Sequence, residues 1–420
     1  MNNETKNPIG DASARAREKN HSDVSPNNAA INDDAVSKQN PLVELQKYGQ
    51  SFWLDNINRV LITSGELKKM VDEDGLRGVT SNPTIFEKAI TESDAYDEEF
   101  AQAVKENQSF EVAAVTAALT TGDIKFGCDI LRPVFDETEG GDGYVCLEVG
   151  PQLARDTDGT IAEAKQLHER VNRPNLMIKV PATAEGIPVI ERLITDGICV
   201  NVTLMFAPET YETVAEAYLK GLENRAARGE SIKELASVAS IFVSRVDTKV
   251  DQLIEAKISE TIDENERQNL KNLIGKTAVA NAKTMYEKYL ELFGENNERW
   301  RKLKEKGANP QRLLWASTST KNPALPDTYY VEALIGENTV DTMPPATVKA
   351  FRDHGKVAAT LESGFGEARE TLRQVSAAGV NLDKVFAELL EEGIAGFVKS
   401  FENLTAALLK KHDELTAIKR

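Results

Sequence analysis

The sequence predicts an α/β chain closed into a (β/α)8 barrel, the TIM-barrel architecture, with additional C-terminal helices. Three observations lead there. Short β-rich runs alternate with amphipathic stretches of helical period, which implies parallel βαβ units. Four of those runs pair an all-aliphatic face with a face carrying polar groups. A flat parallel sheet is covered by helices on both sides and should be apolar on both, whereas a closed barrel turns one face inward and gathers polar residues at its C-terminal strand ends.

Taken in order, 52–57 is expected as the first strand and carries Asp55, and 78–83 follows with Thr80 and Asn82. In 144–150, Cys146 and Glu148 share one face against Val145, Leu147 and Val149. In 175–182, Met177, Lys179 and Pro181 alternate with Leu176, Ile178 and Val180. Asn201 and Thr203 lie together in 199–206, opposite Val200, Val202 and Leu204. In 238–245, Ser240, Phe242 and Ser244 oppose Ile241 and Val243. The run 312–318 is apolar, and 338–343 shows the faintest pattern. Between the strands, 160–171, 187–195 and 209–223 read as amphipathic helices. The alternative is an open doubly wound sheet, but no Gly-rich dinucleotide fingerprint follows any of these runs.

Composition bounds the organisation. Residues 1–40 are rich in Asn, Asp, Ser and Ala, lack aromatics, and are interrupted by Pro8 and Pro26. Such a segment cannot bury enough apolar surface to fold by itself, and it is expected to be a disordered polar head. Arg15, Arg17 and Lys19 would suit a transit peptide, but the acids Asp11, Glu18, Asp23, Asp33 and Asp34 argue against one. The barrel is expected over 41–360, and 361–420 as C-terminal helices packed on it. No apolar run is long enough for a membrane span or a signal core, and three sparse cysteines fit a reducing compartment, so a cytoplasmic protein is expected. The net charge of −17 opposes nonspecific nucleic-acid binding, because a phosphate backbone demands a basic stripe. The four histidines are scattered without metal-ligand spacing, so no metal is expected.

Lys179 is the most telling residue. An ammonium among Met177, Ile178 and Val180 is costly to bury, so the group tends to shed its proton and become a nucleophilic amine. Imine formation with a carbonyl substrate is the chemistry that uses one. The plainer alternatives are a lysine snorkelling at a strand end, or one neutralised by Glu148 in a buried ion pair.

Five segments together resemble the transaldolases, specifically the longer bacterial type: GVTSNPTIF at 78–86, the Glu148 run, MIKVPAT at 177–183, NVTLMF at 201–206 and SIFVSR at 240–245. The resemblance covers nearly everything after Leu42. It implies a metal-free, cofactor-free class I enzyme of the pentose phosphate pathway working on small sugar phosphates. Such an enzyme moves a dihydroxyacetone unit from sedoheptulose 7-phosphate or fructose 6-phosphate to glyceraldehyde 3-phosphate or erythrose 4-phosphate. By the same resemblance Lys179 forms the Schiff base, Glu148 shuttles protons through a bound water, and Asp55 is the base for carbon–carbon cleavage. Thr80, Asn82, Asn201, Thr203, Ser240, Phe242 and Ser317 line the substrate site, and Arg245 binds phosphate.

Two positions depart from the shorter transaldolases. Ser319 stands where they have a second arginine, two residues after Ser317, and Lys321 is expected to reach the phosphate instead. Cys146 replaces a serine and is expected to be structural. Asp55 could otherwise serve as a cap, and Asn82 as turn chemistry. The competing functions are a fructose 6-phosphate aldolase, in which a glutamine takes the place of Glu148, and a noncatalytic barrel that binds sugar phosphates. The second would be expected to lack one of Lys179, Glu148 and Asp55. The sequence leaves monomer or homodimer open.

Overall fold

The computed structural model describes residues 40–106 and 111–417. The polar head expected over 1–40 lies outside the described residues except for Asn40, whose side chain caps the helix Pro41–Glu44 by accepting from the Leu42 amide.

Eight parallel strands close a barrel in sequence order: β1 Gln50–Leu54, β2 Gly78–Val79, β3 Tyr144–Glu148, β4 Leu176–Pro181, β5 Val200–Met205, β6 Ser237–Phe242, β7 Gln311–Ala316 and β8 Thr339–Met343. Closure is made by β1 against β8, in register from Gln50↔Thr339 to Leu54↔Met343. Helices follow the strands and cover the outer faces, where Leu147, Ile178, Val180 and Val202 are buried. The three helices read from periodicity run Thr157–Val171, Gly186–Thr195 and Pro208–Ala227. Their starts lie earlier than hydrophobic pattern alone suggests, because polar and small residues make the first turn: Asp156 accepts from the Gly159 amide as an N-cap does.

Four strand expectations need correction, the first being that 312–318 ends at Ala316, where the left-handed Ser317 (φ +58°) breaks the strand. β2 is two residues long, and Thr80–Pro83 is not strand: Asn82 is the N-cap of helix Pro83–Thr91, accepting from the Ile85 amide at 3.0 Å. β1 ends at Leu54, so Asp55 sits just beyond it. β6 ends at Phe242, and Ser244 and Arg245 belong to the first turn of helix Val243–Glu260. Alternation over so few residues does not reveal that switch, because residues two apart fall on opposed faces in a helical turn and on one face in a strand, and two or three positions are too few to separate the two periods.

The N-terminal end of the barrel is filled by a polar knot. The Trp53 indole donates to Asp142 at 2.8 Å, Ser51 donates to the same carboxylate, and Arg312 lies 3.3 Å from it. Buried polar groups of this kind need such mutual satisfaction.

At the other end, two C-terminal helices follow the barrel, Phe365–Ala377 and Leu382–Ala417. The longer one crosses the barrel mouth. Ser400 meets Thr84 at 2.8 Å, Asn403 donates to Glu87 at 2.9 Å, and Lys249 pairs with Glu388 at 2.9 Å. Gly393 permits its approach: a Cβ there would stand 2.7 Å from Leu204 Cδ2 at the end of β5.

Candidate active site

Strand register assembles the centre of the site. In parallel strands, residues paired across the ladder project on the same side. The pairs Glu148↔Lys179 and Lys179↔Asn201 therefore set three polar side chains in one row across β3, β4 and β5. Lys179 is only 4% exposed. Its ammonium donates to the Ser81 carbonyl at 3.0 Å and lies 3.3 Å from Glu148 Oε2. That second contact lacks the geometry of a hydrogen bond, and Glu148 Oε2 has no hydrogen-bond partner.

Above Lys179 a cavity of about 310 Å3 opens at the C-terminal end of the barrel. It is lined by Asp55, Thr80, Asn82, Lys179, Thr203, Ser240, Phe242, Arg245 and Ser317, with Phe397 of the C-terminal helix at its rim. The size suits a small, elongated polar ligand. Thr80 donates to Asp55 at 2.7 Å and meets Thr342 at 2.7 Å, which fixes the carboxylate over the pocket. Thr203 Oγ1 is buried without a partner, and such an atom is available to a ligand. The Arg245 guanidinium lies over the Phe242 ring, 5.0 Å from its centroid.

The sequence-derived candidates do not all reach this cavity. Asn201 is fully buried beneath it, accepting from Ser240 at 2.7 Å and donating to Cys146 Sγ at 3.3 Å. Glu148 faces Lys179 but borders a separate, smaller cavity shared with Phe86, Glu163 and Phe401. Lys321 is exposed and donates to Ser319 Oγ at 2.8 Å, and it is Ser319 rather than Lys321 that lines the cavity. Lys88, on the helix after β2, also lines the cavity. Sequence reading missed it because a lysine one turn and a half into an amphipathic helix looks like any solvated side chain. Also missed was Thr342, hidden in the faint β8.

The electrostatics favour proton traffic. Burial pushes the Asp55 carboxyl above its usual range, against the opposing pull of Lys179, Thr80 and Arg245. Burial likewise raises Glu148, against the pull of Lys179 and with a smaller upward push from Asp55. An upward displacement of both carboxyls favours their holding and passing on a proton more readily than an exposed carboxylate would. The Cys146 thiol is driven up to about 12 by burial, which leaves it a packed, unreactive group.

Two strained residues border the site. Leu204 (φ +59°) sits at the register shift between Val202 and Met205, and Ser317 (φ +58°) follows β7 directly. Left-handed backbone at non-glycine residues is costly and persists where surrounding contacts impose it.

Comparison with known proteins agrees with this arrangement. The profile of the family described as Transaldolase/Fructose-6-phosphate aldolase matches residues 52–408. A Trichodesmium erythraeum protein named Transaldolase is 46% identical over 381 residues, covering 90% of this chain and 99% of its own. A Nostoc sp. protein named Transaldolase 2 is 44% identical, over 88% of this chain and 97% of its own. A Thermobifida fusca Transaldolase is 46% identical, over 87% and 96%. With a closed barrel, a buried lysine beside a glutamate at its mouth and a match spanning nearly all the described strands, this chain belongs to the transaldolase/fructose-6-phosphate aldolase family.

Proposed function

We propose that the chain is a transaldolase, moving a dihydroxyacetone unit between sugar phosphates through an imine on Lys179. The observation that carries this reading is the buried Lys179 side chain, with Nζ 3.0 Å from the Ser81 carbonyl and 3.3 Å from Glu148, at the base of an open polar cavity. Attack of Nζ on C2 of fructose 6-phosphate gives a carbinolamine. Glu148, acting through a water, supplies the proton with which the hydroxyl leaves as water, and the imine results. Asp55 takes the C4 hydroxyl proton, the C3–C4 bond breaks, and its electrons flow into the iminium to form an enamine. Glyceraldehyde 3-phosphate departs. The enamine then adds to the carbonyl carbon of erythrose 4-phosphate, Asp55 returns its proton, and hydrolysis of the new imine releases sedoheptulose 7-phosphate and the free lysine.

Thr203 and Ser240, the latter anchored by Asn201, are positioned to hold the three-carbon unit between half-reactions. Arg245 supplies the phosphate contact, for which a planar guanidinium is suited. The family description also covers fructose 6-phosphate aldolases; the presence of Glu148 rather than glutamine favours transfer. Among the described residues no helix is long and apolar enough to cross a membrane, and the proposed setting is the cytoplasmic pentose phosphate pathway.

The test is borohydride reduction with fructose 6-phosphate in the presence of a chelator, followed by peptide mass mapping. A three-carbon adduct on Lys179, with sedoheptulose 7-phosphate formed from fructose 6-phosphate and erythrose 4-phosphate, is expected. An active, folded sample with no adduct on Lys179 would overturn the reading.

A further inference from the structure

Lys88 is a cation that no step above uses. It lies on the helix Pro83–Thr91, of which Thr84, Ile85 and Lys88 line the substrate cavity at the spacing of one helix face. The C-terminal helix pins this segment at the barrel mouth, where Ser400 meets Thr84 and Asn403 donates to Glu87. Glu87, the neighbouring acid, is thus engaged elsewhere. Among the described residues the Lys88 ammonium has no hydrogen bond and no ion pair.

Arg245 is in the same condition. Its guanidinium lies over the Phe242 ring and lines the same cavity, again without a hydrogen bond or ion pair among the described residues. The two cations stand across the mouth from one another: Lys88 follows β2 and Arg245 follows β6, four strands apart in a closed ring of eight. Lys179, on β4, lies midway round the wall between them. Three cations and a single acid, Asp55, line this cavity. In a chain of net charge −17, cations that face a void without a carboxylate partner are placed to receive an anion from outside.

A phosphate seated on Arg245, with Ser317 and Ser319 beside it, is on the far wall from Lys88 and leaves that ammonium unused. The carbon chain of the ketose runs from that phosphate to C2 at Lys179, and C1 continues from there toward the β2 side. We propose that Lys88 is the receptor for an anionic group on C1, so that this site takes ketoses phosphorylated at both ends as well as the monophosphates. This inference rests on the transaldolase reading for the sugar held between the two cations. An ammonium on a flexible stem at an open mouth suits such a role: it meets a phosphate as a point charge and leaves a ligand that lacks one free to enter.

The experiment measures dissociation constants of fructose 6-phosphate and fructose 1,6-bisphosphate by calorimetry, in the wild type, Lys88→Met and Lys88→Glu. Lys88 is exposed, so neither substitution threatens the fold. The wild type is expected to bind the bisphosphate at least about fivefold more tightly than the monophosphate. In Lys88→Met the two constants should converge, and in Lys88→Glu the bisphosphate should bind the more weakly. A wild type without preference for the bisphosphate would overturn the proposal. So would a ratio that Lys88→Met leaves unaltered, which includes equal weakening of both ligands, the result if Lys88 shared the phosphate of Arg245. These constants need no turnover. A wild type with the expected ratio that transfers no three-carbon unit would defeat the transaldolase reading and leave the second anion site standing, whereas one that transfers the unit but shows no preference would defeat the second site alone.

Discussion

Replacing Lys179 with Met should abolish turnover and, separately, make stability depend on pH in a direction the site dictates. The ammonium pulls both Glu148 and Asp55 downward against the effect of burial. Without it both carboxyls move higher still. An acid whose folded pKa exceeds its unfolded value opposes folding progressively as pH rises from the unfolded value, about 4, to the folded one. The penalty unique to the variant therefore appears between the wild-type folded value and the variant's higher one, at about 1.4 kcal/mol per unit of added displacement.

Breaking a buried ion pair costs about 3–5 kcal/mol when the remaining partner stays charged. The pair here is almost wholly enclosed, with side chains 5% and 6% exposed, but protonation of Glu148 caps the loss below that figure. We expect a destabilisation that grows as pH rises, is least at the acid end and stays below about 3–5 kcal/mol. Urea unfolding at pH 5, 6.5 and 8 measures it, alongside a transfer assay expected to fall at least about 10⁴-fold, or about 5.5 kcal/mol of transition-state stabilisation. A stability difference independent of pH would refute the coupling of the lysine to the two carboxyls. Retained formation of sedoheptulose 7-phosphate would refute the imine.

Arg245→Gln removes a guanidinium that makes charge-assisted contacts worth about 1.5–3 kcal/mol, so KM for fructose 6-phosphate should rise roughly 10- to 100-fold while that for fructose holds. Equal losses on both substrates would place the arginine elsewhere in the reaction. Glu148→Gln should slow transfer by about 10²- to 10⁴-fold and increase the share of free dihydroxyacetone among the products. An unchanged product partition removes the link between this position and transfer over aldol release. Gly143→Ala tests the fold. Gly143 has φ +83° and a Cβ there would stand 2.3 Å from the Phe135 amide nitrogen, so a loss of more than about 2 kcal/mol is expected. A thermal midpoint within a degree or two of the wild type would contradict that geometry.

The barrel was legible because its central strands alternate strictly. Leu176 to Pro181 and Val200 to Met205 each separate aliphatic from polar positions, and their register alone brings Lys179 to Glu148 and Asn201. Strand ends were less legible. Thr80, Asn82 and Arg245 belong to a loop, a cap and a helix, yet at this spacing they read as strand continuations. β8 was faint because Asp341 stands where an outward aliphatic residue is expected. Groups whose role depends on a distant partner left no signal: nothing near Asp142 announces Arg312, and nothing near Lys88 announces the cavity it lines.

Barrel closure also bears on how this chain acquires its structure. The ladder that joins β1 to β8 links residues 289 positions apart, as between Gln50 and Thr339. Closing so long a loop costs entropy before any contact repays it, and topologies dominated by such pairings fold slowly. During synthesis Lys179 emerges well before β8 exists, so the amine spends that interval without the walls that confine it. A fragment ending before Thr339 is thus expected to hold the nucleophile but no reaction chamber. Activity should appear late in refolding, together with closure rather than with helix formation.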